Sequence, residues 1–438
     1  MYDLIVIGAG PAGYEAALTA AKLNKTVLLV EKNIIGGTCL NYGCIPTKSL
    51  LAQSKKYKDL FTLNTFGVEC DNPTFNYKQM LANKNKTVDR LVKGIEFLLK
   101  KGKVEILYGE ATLIDKNSIK VENEIYMGHY ILVATGSSSA KLNIPGFENC
   151  IDSNELLDTD LTNIKQVIII GGGVIGVEIA TILSNLNIKV IIIEAQNQLI
   201  PNSDEMAASR LKRLLNKSGV SINLNSFVKK IEKGIVYTDK KQFEGDLILS
   251  CVGRVPNIGN LDPNNLLLKD KSFIKVNDDF QTNLVNIFAV GDCVRGWQLA
   301  HYASSCAINV VNKLFDNLFK REYSLNLKSV PRCIYTSDEI SIIGEDPDER
   351  DIVVQSDFVA NPRALIDNQN RGFVKLIFTR EGYFKGGTIM CSRASDMINI
   401  LVSALNNHLT ISQMKKDIFP HPSFSESFKD VLNKVNCI

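Results

Sequence analysis

Two stretches of the chain share one pattern of apolar, glycine and acidic positions. Each begins with a short apolar run, continues with G-x-G-x-x-G and a helix-like stretch, and ends in a second apolar run closed by glutamate. The copies span residues 4–31 and 167–194, and in both the first glycine precedes the glutamate by 23 residues. Because a single such pattern is weak and a matched pair is specific, the repeat predicts two dinucleotide-binding βαβ units.

The fingerprint positions have distinct physical roles. The first glycine makes a tight turn, the second lets the backbone approach a pyrophosphate, the third allows close helix packing, and the distal acid binds ribose hydroxyls. These candidate ligands are Gly8, Gly10, Gly13 and Glu31 in the first copy and Gly171, Gly173, Gly176 and Glu194 in the second. Since a carboxylate repels the 2′-phosphate of NADP, and no arginine lies between Glu194 and Asp204, the second site is expected to take NAD.

Periodicity predicts further elements between and after the repeats. Apolar residues at helical spacing predict an amphipathic helix over Lys86–Lys101, and residues 104–135 read as an antiparallel meander. From about residue 328 strand candidates alternate with helix candidates, which indicates a last domain. These candidates are Ile340–Ile343, Phe373–Phe378, Ala394–Asn406 and Phe424–Val435.

Composition excludes several classes of protein and site. The 50 basic and 47 acidic residues give a net charge of +3, so neither nucleic acid nor a membrane is expected as a partner. Four histidines and the absence of C-x-x-C spacing argue against a metal centre. A strand-like run follows Met1 almost directly, without a signal peptide, so the expected location is the cytoplasm.

The block from Gly36 to Lys48 contains Cys39 and Cys44, which lie five residues apart just after the first unit. Such a pair can bridge within one distorted helical turn, although two free buried thiols are the alternative that spacing alone leaves open. In the cytoplasm a disulfide is redox-active more often than structural.

Taken together, these motifs resemble those of the FAD-dependent pyridine nucleotide–disulfide oxidoreductases, and within that class the lipoamide branch. The resemblance runs essentially from end to end of the chain. It rests on both fingerprints, the cysteine block, and the segments 134–137, 253–257, 288–292, 299–301, 334–336 and 421–426.

The resemblance implies roles for cofactor-binding residues. Gly8, Gly10, Gly13 and Glu31 hold FAD, Asp292 binds its ribityl chain, and Ala300 and His301 lie near its ring. Further cofactor contacts are expected from Thr38, Thr135, Gly136 and Gly253. The second fingerprint, with Val174 at the nicotinamide, holds NAD.

The resemblance also implies the redox machinery. Cys44 is the flavin-proximal thiolate and Cys39 exchanges with substrate, while Lys48 lies beside the flavin and pairs with Glu178. In the family, the histidine that corresponds to His421 is an acid–base oriented by the residue at Glu426, and it reaches the cysteines of the other subunit. A homodimer is therefore implied, and no metal.

The fold class implied is α/β, with two Rossmann-like domains and a C-terminal α+β dimerisation domain. The expected boundaries are 1–143 for the first part of the FAD domain, 144–262 for the NAD domain, 263–327 for the segment that completes the FAD domain, and 328–438 for the dimerisation domain.

The expected reaction is oxidation of the dihydrolipoyl group on a lipoyl protein of a 2-oxo acid dehydrogenase or glycine cleavage system, with reduction of NAD⁺. One alternative is an NAD(P)H-dependent reductase of another small disulfide, such as glutathione. A non-catalytic subunit that merely holds FAD is a second alternative, and the joint presence of Cys39, Cys44 and His421 argues against it.

Some positions depart from the family pattern. Phe419 stands where relatives usually have a second histidine, Ser423 where threonine is usual, and Asp338 where proline is usual. Cys437 is a single terminal cysteine, where some relatives have a redox pair. None of these changes removes a catalytic role.

Overall fold

The computed structural model describes residues 1–316 and 325–435. Its first unit opens with a buried strand, a helix that begins at Pro11, and a second buried strand. The elements are β1 (Tyr2–Ile7), α1 (Pro11–Lys22), β2 (Val27–Glu31), α2 (Gly37–Tyr42), α3 (Cys44–Leu60), α4 (Tyr77–Lys101), β3 (Glu105–Tyr108), β4 (Ala111–Leu113), β5 (Ser118–Val121), β6 (Glu124–Val133) and β7 (Ser137–Ser139).

The first sheet has the order β3-β2-β1-β6-β5-β4. Strands β3, β2, β1 and β6 are parallel, whereas β4, β5 and β6 form an antiparallel meander. Because β1 and β2 are buried on both faces, their runs are almost continuously apolar, as parallel strands require.

The second unit repeats this plan. Its elements are β8 (Ile151–Asp152), α5 (Ser153–Leu156), β9 (Gln166–Ile170), α6 (Val174–Asn185), β10 (Lys189–Ile193), α7 (Glu205–Lys217), β11 (Ser221–Asn223), β12 (Val228–Glu232), β13 (Ile235–Thr238), β14 (Gln242–Glu244), β15 (Leu247–Ser250) and β16 (Arg254–Pro256). A parallel sheet has the order β11-β10-β9-β15-β8, and β12, β13 and β14 form a separate antiparallel sheet.

The chain then returns to the first unit through β17 (Lys269–Asp270), β18 (Phe273–Ile274), β19 (Ile287–Ala289) and α8 (Ala300–Phe315). Strand β19 pairs with β6 of the first sheet, and α8 packs on α1.

The C-terminal unit is an antiparallel sheet packed against helices. Its elements are β20 (Arg332–Ile334), β21 (Glu339–Gly344), β22 (Ile352–Asp357), α9 (Pro362–Ile366), β23 (Phe373–Phe378), β24 (Phe384–Cys391), α10 (Ala394–Asn406), α11 (Ile411–Met414) and α12 (Glu426–Asn433). The strand order is β20-β21-β24-β23-β22, and α10 lies against β21 and β24. One apolar cluster contains Leu50 of α3, Val177 of α6 and Phe373 of β23, so the three units share part of their core.

Two elements differ from the sequence prediction. Helix α4 begins at Tyr77, well before Lys86, because the Asn76 side chain caps it by accepting from the Gln79 N–H at 3.0 Å. Strand β3 joins the first sheet in parallel with β2 instead of opening the meander. The predicted helix over Ala394–Asn406 has the bounds observed for α10, and Cys437 lies outside the described residues.

Candidate active site

The first and third fingerprint glycines are required by the packing of the turns. Gly8 has φ +98°, and a Cβ there would lie 2.4 Å from the Ala134 carbonyl oxygen. Gly171 has φ +107°, and a Cβ there would lie 2.3 Å from the Cys251 carbonyl oxygen. A Cβ on Gly13 would lie 1.7 Å from the oxygen of Gly8, so no side chain fits where the helix crosses the strand. A Cβ on Gly176 would likewise lie 2.1 Å from the carbonyl oxygen of Gly171.

The second glycines face space that the protein does not fill. The nearest atom to a Cβ on Gly10 is the Gly37 Cα at 4.0 Å, and nothing lies within 4 Å of one on Gly173. Each glycine is the N-cap of its helix, α1 or α6, with no side-chain cap. The open cradle at each helix N-terminus fits a pyrophosphate, which supports a dinucleotide at both sites.

The two glutamates have the same hydrogen bonds. Glu31 accepts from the N–H groups of Ala9 and Asn33 at 2.7 and 2.8 Å. Glu194 accepts from the corresponding groups of Gly172 and Gln196 at 2.6 and 2.8 Å. The backbone therefore fixes both carboxylates at the ends of β2 and β10, where the ribose of a dinucleotide lies in this type of unit.

Alanine at the second or third glycine should have separable effects. We expect Gly13→Ala to lower the melting temperature of the apoprotein, because its Cβ clashes with the backbone of Gly8. Gly10→Ala clashes with nothing in the protein, so it should leave that temperature unchanged and weaken FAD binding. Thermal unfolding and fluorescence titration with FAD measure the two effects. An equal loss of apoprotein stability in both variants would contradict this role of Gly10.

One cavity of ≈ 1640 Å³ joins both fingerprint loops to the cysteine block. Most of the predicted site residues line it: Gly8, Gly10, Glu31, Thr38, Cys39, Cys44, Lys48, Thr135, Gly136, Gly171, Gly173, Val174, Glu178, Glu194, Gly253, Asp292, Ala300 and His301. Gly13 and Gly176 instead pack against their own turns. The fold thus brings residues from distant parts of the sequence into one continuous space.

The cysteine pair lies at the junction of two helices. Cys39 belongs to α2 and Cys44 begins α3, with Gly43 between them, instead of both lying in one distorted turn. Both are free thiols in the structure. A hydrogen bond from the Cys39 thiol, assisted by the charge of Lys48, lowers the pKa of Cys44 to about 7. That same bond, together with burial, raises the pKa of Cys39. Cys44 is therefore the thiolate of the pair near neutral pH.

Glu178 is a buried acid with partners from two other parts of the chain. It is 3% exposed on the apolar helix α6. Its Oε2 contacts Lys48 Nζ at 2.7 Å, and its Oε1 accepts from the N–H of Tyr335 at 3.0 Å. Lys48 Nζ also lies 4.5 Å from the centre of the Tyr335 ring. Tyr335 belongs to one of the sequence motifs, but the motif did not predict this role for it.

Lys48 is expected to keep Cys44 ionised. Because its positive charge lowers the pKa of Cys44, Lys48→Met should raise that pKa above about 7 and slow alkylation of the reduced protein by iodoacetamide at pH 7. Lys48→Arg keeps the charge beside Glu178 and is the matched control. A pH profile of alkylation that is the same in Lys48→Met and wild type would contradict this role.

His421 and Glu426 form a dyad outside the cavity. The His421 Nδ1 lies 2.8 Å from Glu426 Oε1, and the Ser423 N–H donates to Oε2 at 2.8 Å. The hydrogen bond from the Ser423 N–H, and to a smaller extent the contact with His421, lower the pKa of Glu426. The His421 imidazole is exposed, and neither His421 nor Glu426 lines the cavity of its own chain. The dyad is thus oriented by its own segment and accessible to another molecule.

Asp292 lies in a polar network that the sequence motifs did not predict. Its carboxylate accepts from the hydroxyl of Ser137, which in turn accepts from Arg254. Ser137 and Arg254 both belong to the motifs of the sequence analysis, where only Thr135, Gly136 and Gly253 had been singled out. Across residues 1–316 and 325–435 no cluster of three or more potential metal ligands occurs, and no helix is long and apolar enough to cross a membrane.

Comparison with known families accounts for both parts of the chain. The family described as pyridine nucleotide-disulphide oxidoreductase matches residues 2–307, and its dimerisation domain matches residues 330–432. The second match indicates that the chain forms a homodimer.

Curated relatives named dihydrolipoyl dehydrogenase match along almost their whole length. The protein from Mycoplasma genitalium is 36% identical over 99% of this chain and 98% of its own. The protein from Geobacillus stearothermophilus is 33% identical over 97% of this chain and 94% of its own.

Solved structures show the same fold. The HOCl-induced flavoprotein disulfide reductase RclA from Escherichia coli has a TM-score of 0.88 and 28% identity, covering 99% of this chain and 100% of that one. LpdA from Mycobacterium tuberculosis, at 24% identity, has a TM-score of 0.90 over 99% of this chain and 100% of its own. These matches confirm the expected fold class, and the open cradles fit the cofactors FAD and NAD. The chain belongs to the pyridine nucleotide–disulphide oxidoreductase family and is a flavoprotein disulfide oxidoreductase.

Proposed function

We propose that the protein oxidises the dihydrolipoyl group of a lipoyl protein and reduces NAD⁺. The observation that carries this proposal is the single cavity in which Cys39 and Cys44 share space with both dinucleotide cradles. Glu194 supports NAD over NADP, because its fixed carboxylate repels a 2′-phosphate. The full-length relatives named dihydrolipoyl dehydrogenase support the choice of dithiol.

Thiol–disulfide exchange opens the proposed reaction. With Cys39 and Cys44 oxidised to a disulfide, a substrate thiolate attacks the sulfur of Cys39, and Cys44 leaves as a thiolate. The second substrate thiolate then closes the cyclic disulfide and releases Cys39. The substrate loses two electrons and two protons in this exchange. The positive charge of Lys48, which lowers the pKa of Cys44, favours Cys44 as the leaving thiolate.

His421 is the proposed base. Its Nδ1 is engaged by Glu426, so Nε2 is the nitrogen that takes the proton of the substrate thiol and later gives it to solvent. Because the dyad does not line the cavity of its own chain, we propose that it serves the cysteines of the partner subunit.

When bound, FAD supplies a two-electron carrier between the cysteine pair and the nicotinamide. Lys48 holds a positive charge where electrons leave Cys44, and Glu178 fixes that lysine. NAD⁺ receives a hydride, which accounts for both electrons and one proton, and the second proton passes to solvent. The cytoplasm, where thiols are kept reduced, is the proposed location.

The test is anaerobic reduction of NAD⁺ by dihydrolipoamide, beside NADP⁺ and beside oxidised glutathione with NADPH. We expect rapid formation of NADH and little turnover in the other two assays. Turnover of glutathione with NADPH alone would overturn the proposal in favour of a different disulfide reductase. An inert yellow protein that NADH does not bleach would favour a subunit that only holds FAD.

A further inference from the structure

The chain passes between the two dinucleotide units through a two-stranded ribbon. Strand β7 leaves the first unit, and β16 returns antiparallel beside it. The ribbon is closed at both ends by backbone bonds, from Ala140 N to Gly253 O and from Asn257 N to Gly136 O, each 2.9 Å. Side chains of this ribbon therefore have fixed positions at the border of the cavity.

Adjacent serines of β7 point in different directions. Ser137 is 5% exposed, and its hydroxyl donates to Asp292 Oδ2 at 2.6 Å. Ser138 is exposed and donates to Asn257 Oδ1, also at 2.6 Å. The two contacts have equal length and similar chemistry, and only the first one reaches the acid of the cavity.

Arg254 of β16 holds Ser137 at two points. Its Nε donates to the Ser137 hydroxyl at 2.7 Å, and its Nη2 donates to the Ser137 carbonyl at 2.6 Å. Its Nε lies 4.0 Å from Asp292 Oδ2, and the arginine side chain is 14% exposed. Because the Ser137 oxygen accepts from Arg254, the single hydrogen of the hydroxyl is directed at Asp292.

We propose that Arg254 and Ser137 are positioning residues that hold Asp292 in the orientation required to bind the ribityl hydroxyls of FAD. The relay occupies Oδ2 and leaves Oδ1 for the cofactor. It also places a positive charge near a carboxylate that the cavity would otherwise leave uncompensated. The proposal deepens the assigned role of Asp292 and rests on FAD occupying the first cradle.

Because Arg254 follows β15 of the second unit in the chain, the relay is complete only when the second unit has folded. FAD binding is thus tied to a residue that comes about 240 positions after the first fingerprint loop in the chain order. Neither fingerprint alone would reveal this dependence.

The experiment compares Ser137→Ala with its neighbour Ser138→Ala. FAD is removed from each protein, and the dissociation constant for added FAD is measured by flavin fluorescence, with thermal unfolding of each apoprotein. We expect FAD to bind about tenfold more weakly or worse to Ser137→Ala, because a hydrogen bond to a charged group is lost, and near wild-type affinity in Ser138→Ala. The melting temperatures of the two apoproteins should agree.

Arg254→Lys provides a second measurement. A lysine keeps the charge but cannot make the two-point contact, so FAD affinity should fall as in Ser137→Ala. Equal affinities in Ser137→Ala and Ser138→Ala would overturn the relay, as would a loss of affinity that follows apoprotein stability. If Asp292→Asn then still loses FAD, the proposed function is unaffected. If wild-type protein itself takes up no FAD, the assignment of the first cradle fails instead.

Discussion

Replacement of His421 by glutamine is expected to slow the oxidation of dihydrolipoamide by about 10²–10⁴-fold, the usual contribution of a general base. The amide side chain can still hydrogen-bond to Glu426 but cannot take up a proton. The reduction of NAD⁺ by dihydrolipoamide measures the effect. Bleaching of the flavin by NADH should stay near wild type, because NADH has no thiol whose proton a base must take.

A mixed dimer tests whether His421 acts across the subunit interface. A Cys44→Ser chain and a His421→Gln chain with different tags are co-expressed, and the heterodimer is isolated. If the base comes from the partner, one of its two sites is intact, and activity should reach about half of wild type although both parent dimers are inactive. An inactive heterodimer would show that each chain uses its own histidine, and would contradict the cross-subunit proposal.

Replacement of Cys44 by serine is expected to abolish turnover with dihydrolipoamide. A serine cannot form the disulfide with Cys39 that accepts the electrons of the substrate, so no partial activity should survive. Turnover and the number of rapidly alkylated thiols in the reduced protein measure the effect. Cys70→Ser is the matched control, because Cys70 is an exposed free thiol that does not line the cavity. Substantial activity in Cys44→Ser would contradict the whole redox assignment.

Cys39→Ala should also be inactive but differ in its remaining thiol. Since the hydrogen bond from Cys39 is the largest cause of the lowered pKa of Cys44, a side chain without a donor there should move alkylation of Cys44 to higher pH. The two variants thus distinguish the role of Cys39, which exchanges with the substrate, from that of Cys44, which leaves as a thiolate.

Periodicity predicted the elements that repeat or that have strong apolar faces. The two fingerprints gave β1, α1 and β2 and then β9, α6 and β10, because parallel strands buried on both faces read as continuous apolar runs. It failed at the start of α4, where the buried face that begins with Tyr77 and Met80 continues through a lysine, Lys84, and so does not read as an apolar stripe. It failed also at β3, where four residues carry no information about which neighbour they pair with.

The candidate site was predicted where a motif has its own chemistry. Cys39, Cys44 and Lys48 lie close together in the sequence, whereas the contact of Lys48 with Glu178 came from the resemblance and appears in the structure at 2.7 Å. The bond from the Tyr335 N–H and the contacts of Arg254 could not be predicted. Every residue except proline supplies a backbone N–H, so the identity of Tyr335 does not reveal its bond to Glu178. An arginine that bonds within the fold has the same letter in the sequence as one in solvent.

The position of Glu178 has a consequence for cutting or exchanging parts of this chain. Its two oxygens bind groups from the first unit and from the C-terminal unit, and it lies on a helix of the second. Removing Lys48 leaves the buried carboxylate without its counter-ion, and removing the segment of Tyr335 leaves it without a hydrogen-bond donor, so either loss destabilises the fold. The three segments that look independent in the sequence are therefore joined at one carboxylate. A chimaera made by swapping the C-terminal segment for that of a relative must restore this junction before it can be compared with the parent.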